Sequence, residues 1–80
     1  MGENNLDTKR IGQVIRSYRK SKGLTLEVVS GLADLDSAHL ARIELGEYIP
    51  NINTFIKIAK ALGLKPSELM AMIESSETQQ

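Results

Sequence analysis

The chain has 80 residues, ten basic and ten acidic side chains, a single histidine and no cysteine, which bounds it to one small domain with a thin stability margin. No disulfide or thiolate metal site is possible and His39 alone makes no metal site, so neither cofactor nor metal is expected. No apolar run nears the ~20 residues of a membrane span; the polar stretch Met1–Arg10 is no signal peptide, so the chain is read as cytoplasmic.

A polar lead, residues 1–7, is expected to be flexible. The first helix is predicted from Thr8 to Ser21, because Ile11, Ile15 and Tyr18 recur at helical spacing with Val14 beside them. Gly23 stands just past its end, where a left-handed residue commonly closes a helix. Thr25 reads as the N-cap of helix 2, about Leu26 to Ala33, with Val29, Leu32 and Ala33 inward. Asp34 and Leu35 form a tight connection. Asp36 then caps helix 3, about Ser37 to Leu45, with Leu40 and Ile43 inward and Gly46 as its stop. Asn51 opens helix 4, about Ile52 to Leu62, burying Phe55, Ile58, Ala59 and Leu62 before Gly63 ends it. Pro66 suits the first turn of helix 5, about Pro66 to Glu74. The tail, residues 75–80, is polar and expected to be disordered. With no alternating strand pattern, the fold class is all-α: one domain over residues 8–74.

Helices 2 and 3 with their short connection make a helix-turn-helix pattern. Ser30 is small where the helices cross, Leu35 plugs the turn, and Leu40 anchors the second helix from inside. Charge is uneven along the chain. Lys9, Arg10, Arg16, Arg19, Lys20 and Lys22 have no acid among them, whereas Gly23 to Pro50 sets Arg42 alone against Glu27, Asp34, Asp36, Glu44 and Glu47.

From Ile11 to about Met70 the sequence resembles the lambda-repressor-like, or Xre-type, helix-turn-helix family. The resemblance is carried by Ile11-Gly12-Gln13-Val14-Ile15-Arg16 with Tyr18-Arg19, by Gly23-Leu24-Thr25, and by Ser37 to Gly46 with its Ile43-Glu44-Leu45-Gly46 ending. Pro50, Thr54-Phe55 and Ile58-Ala59-Lys60-Ala61-Leu62-Gly63 complete it. It implies a compact five-helix domain that binds double-stranded DNA sequence-specifically, at a pseudo-palindromic operator, as a homodimer in transcriptional control. The family's base-reading positions fall on Ser37, Ala38 and Arg42, with His39 and Ala41 alongside. Arg42 is the strongest candidate, since a guanidinium can bind guanine O6 and N7 together. Phosphate contacts are implied at Thr25 and Leu26, at Asn51 and Asn53, and from Arg16, because helix N-termini attract anions through free amides. Arg19 and Glu44 match a structural salt bridge. Met70, Met72 and Ile73 cannot all face inward on one short helix, so helix 5 is expected to supply a dimer contact.

Three departures from the family pattern stand out. Leu26 replaces a glutamine that bonds phosphate, Asp34 replaces the commonest turn glycine, and Asp36 adds a carboxylate near the expected phosphate path. The acid excess keeps a second reading open: an antitoxin-like or adaptor module that uses the same fold to bind a protein. An enzyme has no support, for there is no nucleophile–base set, no evident carboxylate pair and no phosphate-cradling glycine loop.

Overall fold

The computed structural model describes residues 7–78, which form five α-helices and no strand. They are α1 (Thr8–Ser21), α2 (Leu26–Leu32), α3 (Ser37–Glu44), α4 (Ile52–Ala61) and α5 (Pro66–Thr78). The loose ends expected at 1–6 and 79–80 lie outside the described residues. Both ends of the domain differ from expectation. Asp7, assigned to the flexible lead, is the N-cap of α1, its carboxylate accepting from the Lys9 amide at 3.0 Å. The helix α5 also continues through residues 75–78, because nothing after Glu74 in that stretch is a glycine or proline that would stop it.

Each helix start has a local cause. Thr25 Oγ accepts from the Val28 amide at 3.1 Å and Asn51 Oδ1 accepts from the Thr54 amide at 2.8 Å. Glu68 reaches back to the Lys65 amide at 2.8 Å and so fixes the start of α5. Asp36 holds the N-cap position of α3, but its side chain makes no capping bond there; only its carbonyl accepts, from His39 and Leu40.

The four ends from α1 to α4 share one device. The amide two residues past each C-cap returns to the carbonyl five residues back, as in Leu24 to Arg19, Leu35 to Ser30, Glu47 to Arg42 and Leu64 to Ala59. This is the Schellman reversal, and it needs one left-handed residue. Glycine supplies it at three ends; at the end of α2 it is Asp34, with φ 56°. Aspartate tolerates this region better than most side chains, so the turn survives without glycine.

The core is aliphatic. Ile15, Val29, Leu40, Ile43, Ile58 and Leu69 have no measurable exposure, and Phe55, Leu62 and Ile73 close around them. Helix α1 packs on α3 and α5, α2 on α3 and α4, and α4 on α5. Gly12 lets α1 lie against the backbone of α3: a Cβ there would fall 2.3 Å from the Ile43 carbonyl oxygen and 2.5 Å from that of Glu44. Leu32, expected inward, is instead 67% exposed. Val29 and Ala33, four residues apart, define the inner stripe of α2, and Leu32 falls outside it on the flank.

Candidate nucleic-acid interface

The helix pair α2–α3 is held from behind at three points. Ser30 is buried where the helices cross and receives the Leu35 amide on its carbonyl at 2.8 Å. Leu35 packs under the turn and Leu40 is fully buried. The far end of α3 is tied to α1 by Arg19 and Glu44. The guanidinium donates to both carboxylate oxygens, Nε to Oε2 at 2.8 Å and Nη2 to Oε1 at 2.9 Å, and Nη1 donates to the Leu24 carbonyl at 2.9 Å. Both residues are buried. Hydrogen bonding to the Glu44 carboxylate raises the Arg19 pKa, helped by the negative charges of Glu44 and Glu27 and opposed by burial.

With Leu40, Ile43 and Glu44 turned inward, the outer face of α3 carries exposed Ala38 and Arg42 and partly exposed Ser37, His39 and Ala41. Of the predicted base-reading residues, Ser37, Ala38, His39 and Arg42 are therefore brought together on one short helix, with exposed Leu45 at its end. The residues that flank this face are divided. Thr25 is exposed and its hydroxyl serves as a cap; Leu26 is half-buried against the core, so it offers an anion its backbone amide and not its side chain. Asn51 and Asn53 are exposed at the start of α4. On α1, Lys9, Gln13, Arg16 and Lys20 recur at helical spacing on an exposed face, while Lys22 lies over the Tyr18 ring, 5.3 Å from its centroid. The six cations of the basic segment are thus not one patch.

The expected dimer contact on α5 is also divided. Ile73 is 1% exposed and belongs to the core, which corrects its assignment. Met72 faces a groove beside Val14 and Tyr18. Met70 borders a separate apolar recess of about 120 Å³ with Ile49, Pro50, Ile52 and Phe55. Ile49 and Ile52 at its rim are 61% and 71% exposed, unusual for large aliphatic side chains.

Sequence reasoning missed Tyr48. It leaves the reversal at Gly46 and lies back along α3, where its ring stacks on His39 with centroids 5.5 Å apart and planes 29° apart. Its hydroxyl accepts from Arg42 Nη1 at 3.3 Å. This hydrogen bond, with the nearby charge of Glu47, raises the Arg42 pKa. The Gly46-Glu47-Tyr48 order gives no periodic signal; only the reversal itself, predictable from Gly46, points the ring toward α3.

This arrangement is that of a helix-turn-helix protein. A helix-turn-helix family model matches residues 15–69, and the chain belongs to that family, of the Xre or lambda-repressor-like type. It is 35% identical over 60 residues to the immunity repressor protein of Bacillus phage phi105, a match covering 75% of this chain and 42% of the repressor, so the chain spans less than half that relative's length. The restriction-modification controller protein C.AhdI from Aeromonas hydrophila superposes with a TM-score of 0.76 at 32% identity, over 81% of this chain and 98% of that one. The controller protein C.Esp1396I, solved as a tetramer on its natural 35 base-pair operator, superposes with a TM-score of 0.85 over 95% of this chain and all of that one; at 21% identity it shows the fold alone. Among the described residues no helix is long and apolar enough to cross a membrane.

Proposed function

We propose that this protein is a cytoplasmic, non-enzymatic transcriptional regulator that binds double-stranded DNA as a homodimer, each copy setting the outer face of α3 in the major groove. The observation that carries this reading is the outward face Ser37–Ala38–Arg42 on a helix anchored from behind by Leu40, Ile43 and the Arg19–Glu44 pair. Arg42 supplies donors for a guanine edge, Ala38 a methyl contact, and Ser37 and His39 hydrogen bonds to bases or phosphate. Phosphates are met by Arg16, by the first-turn amides beside Thr25 and Leu26, and by those at Asn51 to Asn53. The likeness to a phage immunity repressor and to the restriction-modification controller C.AhdI supports the same role.

The two copies meet through the apolar rim of Ile49, Ile52 and Met70, the most exposed aliphatic surface near α5. This replaces a seam through Ile73, while Met72 stays at its edge of α5. Ile52→Glu is expected to yield a monomer in sedimentation with its helical circular dichroism intact.

Selection of bound DNA from a random library tests the reading. It should return a palindromic site with half-sites about one turn, roughly 34 Å, apart. Affinity should fall steeply with salt as counterions are released. The acids Glu27, Asp34, Asp36 and Glu47, all exposed around α3, favour a second role as a docking module for a basic protein partner. A dimer that retards no DNA at low salt would overturn the first reading and favour the second.

A further inference from the structure

We infer that Tyr48 is a specificity-determining positioning residue: it clamps Arg42 and His39 into one arrangement on the outer face of α3. The inference rests on that face being the DNA-reading surface. Its basis is geometric. The α3 reversal, closed by Gly46 to Ile43 at 3.0 Å and Glu47 to Arg42 at 2.9 Å, fixes where the chain leaves the helix. Tyr48 then lies across two side chains three residues apart on α3, stacked on one and hydrogen-bonded to the other.

The chemistry of the clamp suits the task. A guanidinium has five N–H donors in a planar fork. The phenol oxygen engages Nη1 alone, and the Nε–Nη2 edge makes no hydrogen bond among the described residues. Two parallel donors therefore remain for guanine O6 and N7. A carboxylate in the same place would bind arginine more tightly but would cancel its charge and repel phosphate. Phenol restrains the side chain without adding a negative charge to a region already rich in acids. An arginine restrained before binding loses less side-chain freedom on meeting its base, so the restraint favours the one base pair it is aimed at.

The test compares the wild-type chain with Tyr48→Phe, Arg42→Ala and the double variant, using library-selected DNA and its single-base variants. Tyr48→Phe keeps the ring and removes the acceptor. It should lower discrimination by about 2- to 10-fold, the range of one net hydrogen bond, at the base pair read by Arg42 and not elsewhere. In the Arg42→Ala background, Tyr48→Phe should change nothing. Thermal midpoints should agree with those of the parent proteins, which separates positioning from folding. In the free protein, nuclear relaxation of the Arg42 Nε–H should show faster motion in Tyr48→Phe. Unchanged relaxation, an equal loss at every base position, or a loss that persists without Arg42 would overturn the clamp while leaving DNA binding intact. If the wild-type chain selects no sequence, the DNA reading itself falls, and Tyr48 loses its role with it.

Discussion

Two arginines flank α3 and differ in almost everything but chemistry. Arg19 lies behind the helix, 8% exposed, with three hydrogen bonds of 2.8–2.9 Å to Glu44 and Leu24. Arg42 lies in front of it, exposed, with one bond of 3.3 Å to Tyr48. The first has its donors committed within the fold and fixes where α3 stands. The second keeps most of its donors for something outside. A charge is buried where geometry must not change and left in water where a ligand must be met.

The sharpest way to break this contrast is to unpair the buried side. Glu44→Leu should cost about 3–5 kcal/mol in chemical denaturation, because it leaves the Arg19 charge buried without its carboxylate. Arg19→Met combined with Glu44→Leu should recover much of that loss. If it does not, the pair is valuable as an ion pair and not only as matched burial. The same pair has a pH signature. Its raised arginine pKa means the stabilisation is full below the unfolded-state value and is lost only as pH rises through the folded one. Arg19 therefore stays charged wherever the fold persists and should add no pH dependence of its own through neutral and moderately alkaline solution.

Gly12→Ala tests the backbone seam beside that pair. The added methyl meets two carbonyl oxygens, which a flexible side chain cannot relieve, so a loss of about 1–3 kcal/mol is expected. On the outer side, Arg42→Ala should remove about 1–3 kcal/mol of base discrimination at one position per half-site, with folding stability unchanged within ~0.5 kcal/mol. A large fall in the thermal midpoint would mean that Arg42 is structural too. Gly31→Ala is the smallest effect: nothing beyond its own stretch of α2 lies within 4 Å of the new methyl. It should stabilise α2 by roughly 0.5–1 kcal/mol, seen as a higher denaturation midpoint.

Much of this was legible in the residues. Ile11 and Ile15, Leu40 and Ile43, and Phe55, Ile58 and Leu62 mark their inward faces by spacing alone, and all are buried. The predicted ends of α2, α3 and α4 each run one residue long, because Ala33, Leu45 and Leu62 serve as C-caps. Leu32 was misread because two turns of helix offer too few apolar positions to fix the phase of the stripe. On α5, Met70, Met72 and Ile73 lie within one turn, and only the packing against α1 and α4 selects Ile73 for the core. The carboxylate cap at Asp7 and the continuation of α5 past Glu74 carry no hydrophobic signal at all. The candidate reading positions came from the family resemblance; spacing alone marked only Leu40 and Ile43 as the inward side of α3. Tyr48 was marked by neither, because its contacts depend on a change of chain direction and not on helical period.

The seating of Gly12 on the carbonyls of Ile43 and Glu44 has a consequence for how the proposed complex accommodates an imperfect site. A reading element packed this closely on its support has little room to slide or tilt toward it to follow a distorted groove. Compliance then belongs to the duplex, whose bending over such a span costs on the order of 1–6 kcal/mol, depending on sequence. Spacer base pairs that no side chain touches would thus be weighed by their stiffness.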